Sequence, residues 1–320
     1  MAELDVLFIG AVNYDILFPH LESPVETSSP SDIRRRIGGG ASITAIALAT
    51  LGLSSAVAGS IGKDADIILK ELDNRGVKHF LRQYPVETAI TAVEHYPDGR
   101  KRYMANTGSN ALFTPEDLSE VLPHVNNSRV VMRTGYPWMP QIAGRPTAEL
   151  FEYARQHNVV TALDMSSPDS WQKKMLEELV SDVVPYIYLL CANRRELYTL
   201  GRKEGEPQID NSDLEAHTTP ERALEYAHRL LDQGVTIVNL HYGQRGTMLV
   251  TKHGHVHEEP PKVERYVNPT GCGNQQNAGV ISRILSGDNL SYAARFGNTM
   301  AVLRLSGTDF PTLQDVKTRI

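Results

Sequence analysis

Late in the chain, Val267-Asn268-Pro269-Thr270-Gly271-Cys272-Gly273-Asn274-Gln275-Gln276-Asn277-Ala278-Gly279 crowds glycines ahead of an apolar run. No other stretch constrains the fold as much. Ala278, Val280, Ile281, Ile284 and Leu285 recur at helical spacing, and Gly287 suits the residue just past a helix end. The segment therefore predicts a loop entering a helix. First-turn amides have no acceptor inside their helix and sit at the positive end of its dipole, so a phosphate fits against Gly271 to Asn274. A tight structural turn would use the same residues, so the rest of the chain has to decide.

The chain has 320 residues, enough for one large α/β domain, and Lys+Arg 32 against Asp+Glu 38 gives a net charge of −6. That balance speaks against a nucleic-acid or anionic-membrane partner. The two cysteines, Cys191 and Cys272, cannot build a disulfide framework and suit a reducing compartment. Met-Ala-Glu-Leu-Asp at the start lacks a basic leader, and no apolar segment reaches spanning length, so a cytoplasmic location is expected.

Leu4–Gly10 reads as a buried parallel strand, with Asn13 and Asp15 projecting to one side just beyond it. Phe18–Asp32 is loop-like, and Arg34, Arg35 and Arg36 read as a solvated strand edge that could also attract an anionic substrate or ATP. Gly38-Gly39-Gly40 leads into a small-residue helix ending at Gly52. A dinucleotide fold is a poor rival, because its glycine loop follows the first strand directly. Strands are expected at Ser54–Ala58, Thr88–Val93, Arg100–Met104, Arg129–Thr134, Val159–Leu163, Ile187–Cys191 and Val235–Leu240. Helices are expected at Ala65–Arg75, Pro146–His157, Ser170–Val180, Pro220–Gln233 and, as the last one, Leu290–Leu305. Lys203–Thr219 reads as a surface loop. His253, His255 and His257 alternate as on a hairpin strand, and without an acidic or cysteine neighbour they do not make a metal site.

These motifs resemble those of the ribokinase-like carbohydrate kinases, the phosphofructokinase B type sugar and nucleoside kinases. Asn268 to Gly279 is similar to that family's Asp-Thr-x-Gly-Ala-Gly-Asp-x-Phe-x-x-Gly signature, and Gly38 onward to its Gly-Gly-x-x-x-Asn signature. Gly10-Ala11-Val12-Asn13-Tyr14-Asp15, Gly59 to Asp64, Gly108-Ser109-Asn110, Asn193-Arg194-Arg195-Glu196 and Gly243-Gln244-Arg245-Gly246 follow in the family's order. The resemblance covers the whole chain. It implies a three-layer α/β/α fold over 1–320 with a mostly parallel sheet and a small β lid from excursions near 14–37 and 88–110. It also implies a transferase: an ATP- and Mg2+-dependent kinase acting on a hydroxymethyl group of a sugar or nucleoside.

The implied roles are substrate binding by Asn13, Asp15, Gly38 and Gly39, and an anion hole of Gly271, Cys272 and Gly273. The nucleotide side would draw on Asn193, Glu196 (reaching the metal through water), Gly243, Arg245, Gly246 and Asn298. Lids of this kind often pair into homodimers. Several positions depart from the pattern, Gln275, Gln276 and Gly135 among them, and three bear on the chemistry. Asn274 replaces the aspartate that serves as base, Ile43 replaces a sugar-binding asparagine, and Asn268 removes a carboxylate where relatives build a monovalent-cation site. A carboxamide cannot accept the acceptor's proton, so two readings stand: a weakened kinase, or a binding and sensing pseudokinase.

Overall fold

The structure is a computed structural model describing residues 2–18, 34–95, 101–166, 173–203, 205–207, 209, 213–267 and 269–320. In chain order the strands are β1 (Leu4–Gly10), β2 (Asn13–Leu17), β3 (Arg34–Gly38), β4 (Ser55–Ile61), β5 (Lys78–Gln83), β6 (Ala89–His95), β7 (Lys101–Asn106), β8 (Ser128–Thr134), β9 (Val160–Asp164), β10 (Leu189–Asn193), β11 (Ile237–His241), β12 (Thr247–Thr251) and β13 (Gly254–Glu258). The helices are α1 (Gly40–Thr50), α2 (Asp66–Asn74), α3 (Pro115–Asn126), α4 (Arg145–Gln156), α5 (Lys173–Glu178), α6 (Arg194–Gly201), α7 (Leu214–His217), α8 (Pro220–Asp232), α9 (Cys272–Leu285), α10 (Leu290–Leu305) and α11 (Leu313–Lys317).

Nine strands form the central sheet in the order β13-β12-β11-β10-β9-β8-β1-β4-β5. It is parallel from β11 to β5, and an antiparallel hairpin extends it at the other edge. Val6, Leu7, Phe8 and Ile9 of β1 are all fully buried because helices cover both faces. Leu7 and Ile9 join the core beneath α3, α4 and α8, while Val6 and Phe8 join the core beneath α1, α9 and α10. This is the expected α/β/α layering.

A second sheet, in the order β3-β2-β6-β7, forms the lid. Its strands run over Asn13–Leu17, Arg34–Gly38, Ala89–His95 and Lys101–Asn106; 19–33 and the turn at Pro97-Asp98-Gly99 lie outside the described residues, as does Asn268. Gly39, at φ 90, turns the lid strand β3 into α1; a Cβ there would lie 2.2 Å from the Ala11 carbonyl oxygen. Only glycine permits that turn.

Several expectations change. α11 follows α10 as the last helix, and α7 interrupts the loop expected at Lys203–Thr219. The helix expected at Ser170–Val180 is described from Lys173 and continues as a π-type turn at Leu179–Val183. β5, α3 and α6 were not anticipated as elements.

Candidate active site

A cavity of about 470 Å3 lies between the lid and the C-terminal ends of the strands, and Asn13, Asp15, Gly39, Gly271 and Asn274 all line it. Residues from the two ends of the sequence thus meet at one place. β2 carries Asn13 and Asp15 on the face of the lid strand that turns inward. The Asn13 amide donates to Asp15 Oδ1 at 2.9 Å and to Thr91 Oγ1 at 3.3 Å. Burial pushes the Asp15 carboxyl up from 3.8 to about 6, against the pull of Arg36, the Asn13 bond and Arg304. Gly38 packs on this pair: a Cβ there would fall 2.1 Å from Asp15 Oδ1. Ile43 and Gly135 line the same cavity, with Ile43 Cγ2 3.9 Å from where Gly271 would carry a Cβ.

Opposite, Gly271 adopts a left-handed conformation at φ 87 and caps α9 without any side-chain bond to the first turn. The amides of Cys272, Gly273 and Asn274 therefore form the entry of a long helix, where an anion is favoured. Asn274 is half-buried, with Oδ1 3.9 Å from where Gly40 would carry a Cβ, so its carboxamide faces the lid hinge.

Behind that loop runs a buried chain of amides and acids that sequence reasoning missed. The Asn277 amide donates to Asp164 Oδ2 at 3.1 Å, and Asn277 Oδ1 accepts from Asn239 at 3.1 Å and pairs with His241 Nε2 at 2.7 Å. Gln276 donates to Asn239 Oδ1 at 3.0 Å and Thr247 Oγ1 at 2.7 Å. Thr247 in turn donates to Asn298 Oδ1 at 2.6 Å, and Asn298 donates to the Glu258 carbonyl at 2.7 Å. Burial holds His241 down at about 4, so its ring is neutral and Nε2 carries the proton given to Asn277. Asn298 is 3 % exposed with both ends of its amide engaged, so a nucleotide base would have to displace those bonds to reach it.

Asn193 and Glu196 form a capping box at the start of α6: Asn193 Oδ1 accepts from the Glu196 amide at 3.0 Å, and Glu196 Oε2 from the Asn193 amide at 2.8 Å. Glu196 and Asp164 are both buried, and burial raises the proton affinity of each; the Asp164 charge adds to the rise at Glu196. A divalent cation prefers oxygen ligands, and two desolvated carboxyls beside the anion loop suit one held through water. No cluster of three or more metal-ligating side chains occurs among the described residues, so phosphate and water oxygens would complete its shell.

Farther along, Arg245 pairs with Glu215 and donates to the Tyr242 hydroxyl at 3.2 Å, in the loop bounded by Gly243 and Gly246. Asn193, Glu196, Gly243, Arg245, Gly246 and Asn298 do not line the cavity shared by Asn13 and Asn274. The His255 side chain is exposed, and His257 Nε2 pairs with the Arg245 carbonyl at 2.7 Å.

The chain is similar to several known proteins. A 5-dehydro-2-deoxygluconokinase of Bacillus subtilis is 21 % identical, the alignment covering 98 % of this chain and 94 % of the relative. A 1-phosphofructokinase of Escherichia coli is 28 % identical over 150 residues, 45 % of this chain and 44 % of the relative. Among solved structures, Arabidopsis thaliana ribokinase complexed with ribose and ATP superposes with TM-score 0.80 at 20 % identity, covering 99 % of this chain and 98 % of that one. Adenosine kinase of Sinorhizobium meliloti gives 0.79 at 22 %, again covering 99 % and 98 %. These likenesses establish the ribokinase fold. No helix among the described residues is long and apolar enough to cross a membrane. Residues 3–310 match the pfkB family of carbohydrate kinases, and the chain belongs to that family.

Proposed function

We propose that this chain transfers the γ-phosphate of ATP to a hydroxymethyl group of a sugar or nucleoside, at a rate lowered by Asn274. One observation carries the reading: Gly271 and Asn274 at the start of α9 share a cavity with Asn13 and Asp15 under the lid. Acceptor hydroxyls bond to Asn13 and Asp15, while the first-turn amides of α9 hold the transferred phosphate. Mg2+ supported from the Asp164 and Glu196 side would offset phosphate charge when bound. As the acceptor oxygen bonds to phosphorus, the bond from phosphorus to the ADP oxygen breaks. Asn274 accepts a hydrogen bond from the hydroxyl and orients it, and the proton leaves to solvent. Because phosphoryl transfer relies mainly on positioning and electrostatics, rate survives without a carboxylate base.

ADP release in the presence of a panel of sugars and nucleosides tests the proposal. Turnover in the native protein supports it. Silence in both the native protein and Asn274→Asp, together with stabilisation by ATP or a panel sugar, favours the second reading, a protein that binds without turnover. The substitution at Asn274 is the observation that keeps this second reading in view.

A further inference from the structure

The cavity is built unlike a pocket for hydroxyls alone. Arg35, Arg36, Arg75 and Arg304 all line it. Two are engaged at its edge: Arg35 bonds Asp64 at 2.8 Å and lies 3.6 Å over the Tyr14 ring, and Arg75 bonds Glu71 at 2.9 Å. The other two converge. Arg304 pairs with Asp309, and Arg36 Nη1 lies 3.4 Å from the same carboxylate oxygen. The Arg304 side chain is only 5 % exposed, whereas that of Asp309 is 65 % exposed, beyond the end of α10. Two guanidinium groups from opposite sides of the cleft, one on the lid and one on the body, thus meet on a single carboxylate at its mouth.

Both arginines also act on Asp15, and the Arg304 Nε donates to the Thr270 carbonyl at 2.9 Å, directly before the anion loop. The guanidinium pair therefore stands between the hydroxyl-binding corner and the phosphate-binding helix entry. Planar guanidinium groups recognise carboxylate and phosphate oxygens in pairs of parallel bonds, and partial burial strengthens such bonds. Asp309 shows in place that this fork holds an anion.

We propose that the acceptor is an anionic sugar, with its carboxylate or phosphate ester held between Arg36 and Arg304 at the place marked by Asp309. The inference rests on the acceptor reading of this cavity. Because Arg36 comes from the lid and Arg304 from the body, the acid group would also tie the lid down over its own sugar. A neutral sugar would occupy the Asn13 and Asp15 corner without that clasp.

Binding and turnover separate this proposal from the kinase reading. Thermal shift and calorimetry would compare D-gluconate with D-glucose, D-ribonate with D-ribose, and fructose 1- and 6-phosphates with fructose, each with and without a non-hydrolysable ATP analogue. The expected result is preference for the acid by about tenfold or more in at least one pair, weakening as salt rises. Carboxylate and phosphate arms identify which anion it is. Arg36→Gln, on a lid edge strand, should remove the preference while leaving the affinity for the ATP analogue unchanged. Arg36→Lys should restore part of the preference. Acid preference lost in Arg36→Gln but without ADP release would refute the kinase reading and leave the Arg36 and Arg304 clasp as the anion site of a protein that binds without turnover. Equal binding of acid and neutral partners in every pair, stabilisation by none of the acids, or a preference untouched by Arg36→Gln would overturn it.

Discussion

Replacing Asn274 with aspartate is the sharpest perturbation the structure offers. The side chain keeps its shape and gains a group able to take a proton. General-base catalysis contributes about a hundredfold to ten-thousandfold, or roughly 2.7 to 5.5 kcal/mol of barrier. Two structural effects accompany that gain. A carboxylate in the first turn of α9 lies at the positive end of the helix dipole, which stabilises the fold by about 0.3–1 kcal/mol. Because Asn274 is half-buried, the new charge keeps part of its hydration and incurs little desolvation. The same charge repels the incoming phosphate, so the gain belongs in kcat, with KM for ATP unchanged or raised. The assay is ADP release under saturating ATP with the acceptor that best stabilises the native protein, and Asn274→Ala serves as control for orientation alone. A folded Asn274→Asp that binds both ligands yet stays within about threefold of the native kcat would refute the reasoning, since a positioned base is worth far more.

Gly39→Ala forces a Cβ against the Ala11 carbonyl at φ 90; a loss of about 1–3 kcal/mol and weaker sugar binding are expected from urea unfolding and calorimetry. The Asp164 and Glu196 carboxyls hold protons to higher pH than their unfolded values of 3.8 and 4.5, so their contribution to stability is complete below those values and is lost as pH rises through the folded ones. Urea midpoints should therefore be higher at pH 6 than at pH 8, and Glu196→Gln should flatten the difference; the opposite slope would exclude raised carboxyls at this pair. Iodoacetamide should label half-exposed Cys272 and spare buried Cys191, whose thiol is pushed up by burial and by Asp164, and ATP should slow the labelling.

The layered sheet was legible because β1, β8 and β10 carry apolar runs, and the entries to α1 and α9 were legible in the glycines at 38, 39, 271 and 273. β5 escaped notice because Lys78–Gln83 is a half-exposed edge strand with charged or polar residues at both ends. α3 did carry its signal in Thr114-Pro115-Glu116-Asp117, a capping box with proline at the first position. The chain of Asn239, Gln276, Asn277, Thr247 and Asn298 could not be read at all. Amides are ordinarily exposed, and nothing in one dimension says that four of them and a threonine hydroxyl will satisfy one another in the interior. Asp164 did stand visibly at a strand end, but its partner Glu196 lies a whole crossover away.

α9 and α10 press together so closely that a Cβ on Gly279 would sit 2.8 Å from the Gly297 Cα. A joint that tight leaves the phosphate platform no play; with the interlocked amides beneath, it behaves as an anvil. Any induced fit to a different acceptor then falls to the hammer, the four-stranded sheet whose strand β3 turns into α1 at Gly39. Changes in what this scaffold recognises should accordingly accumulate in β2, β3 and β6, while the two abutting helices stay fixed.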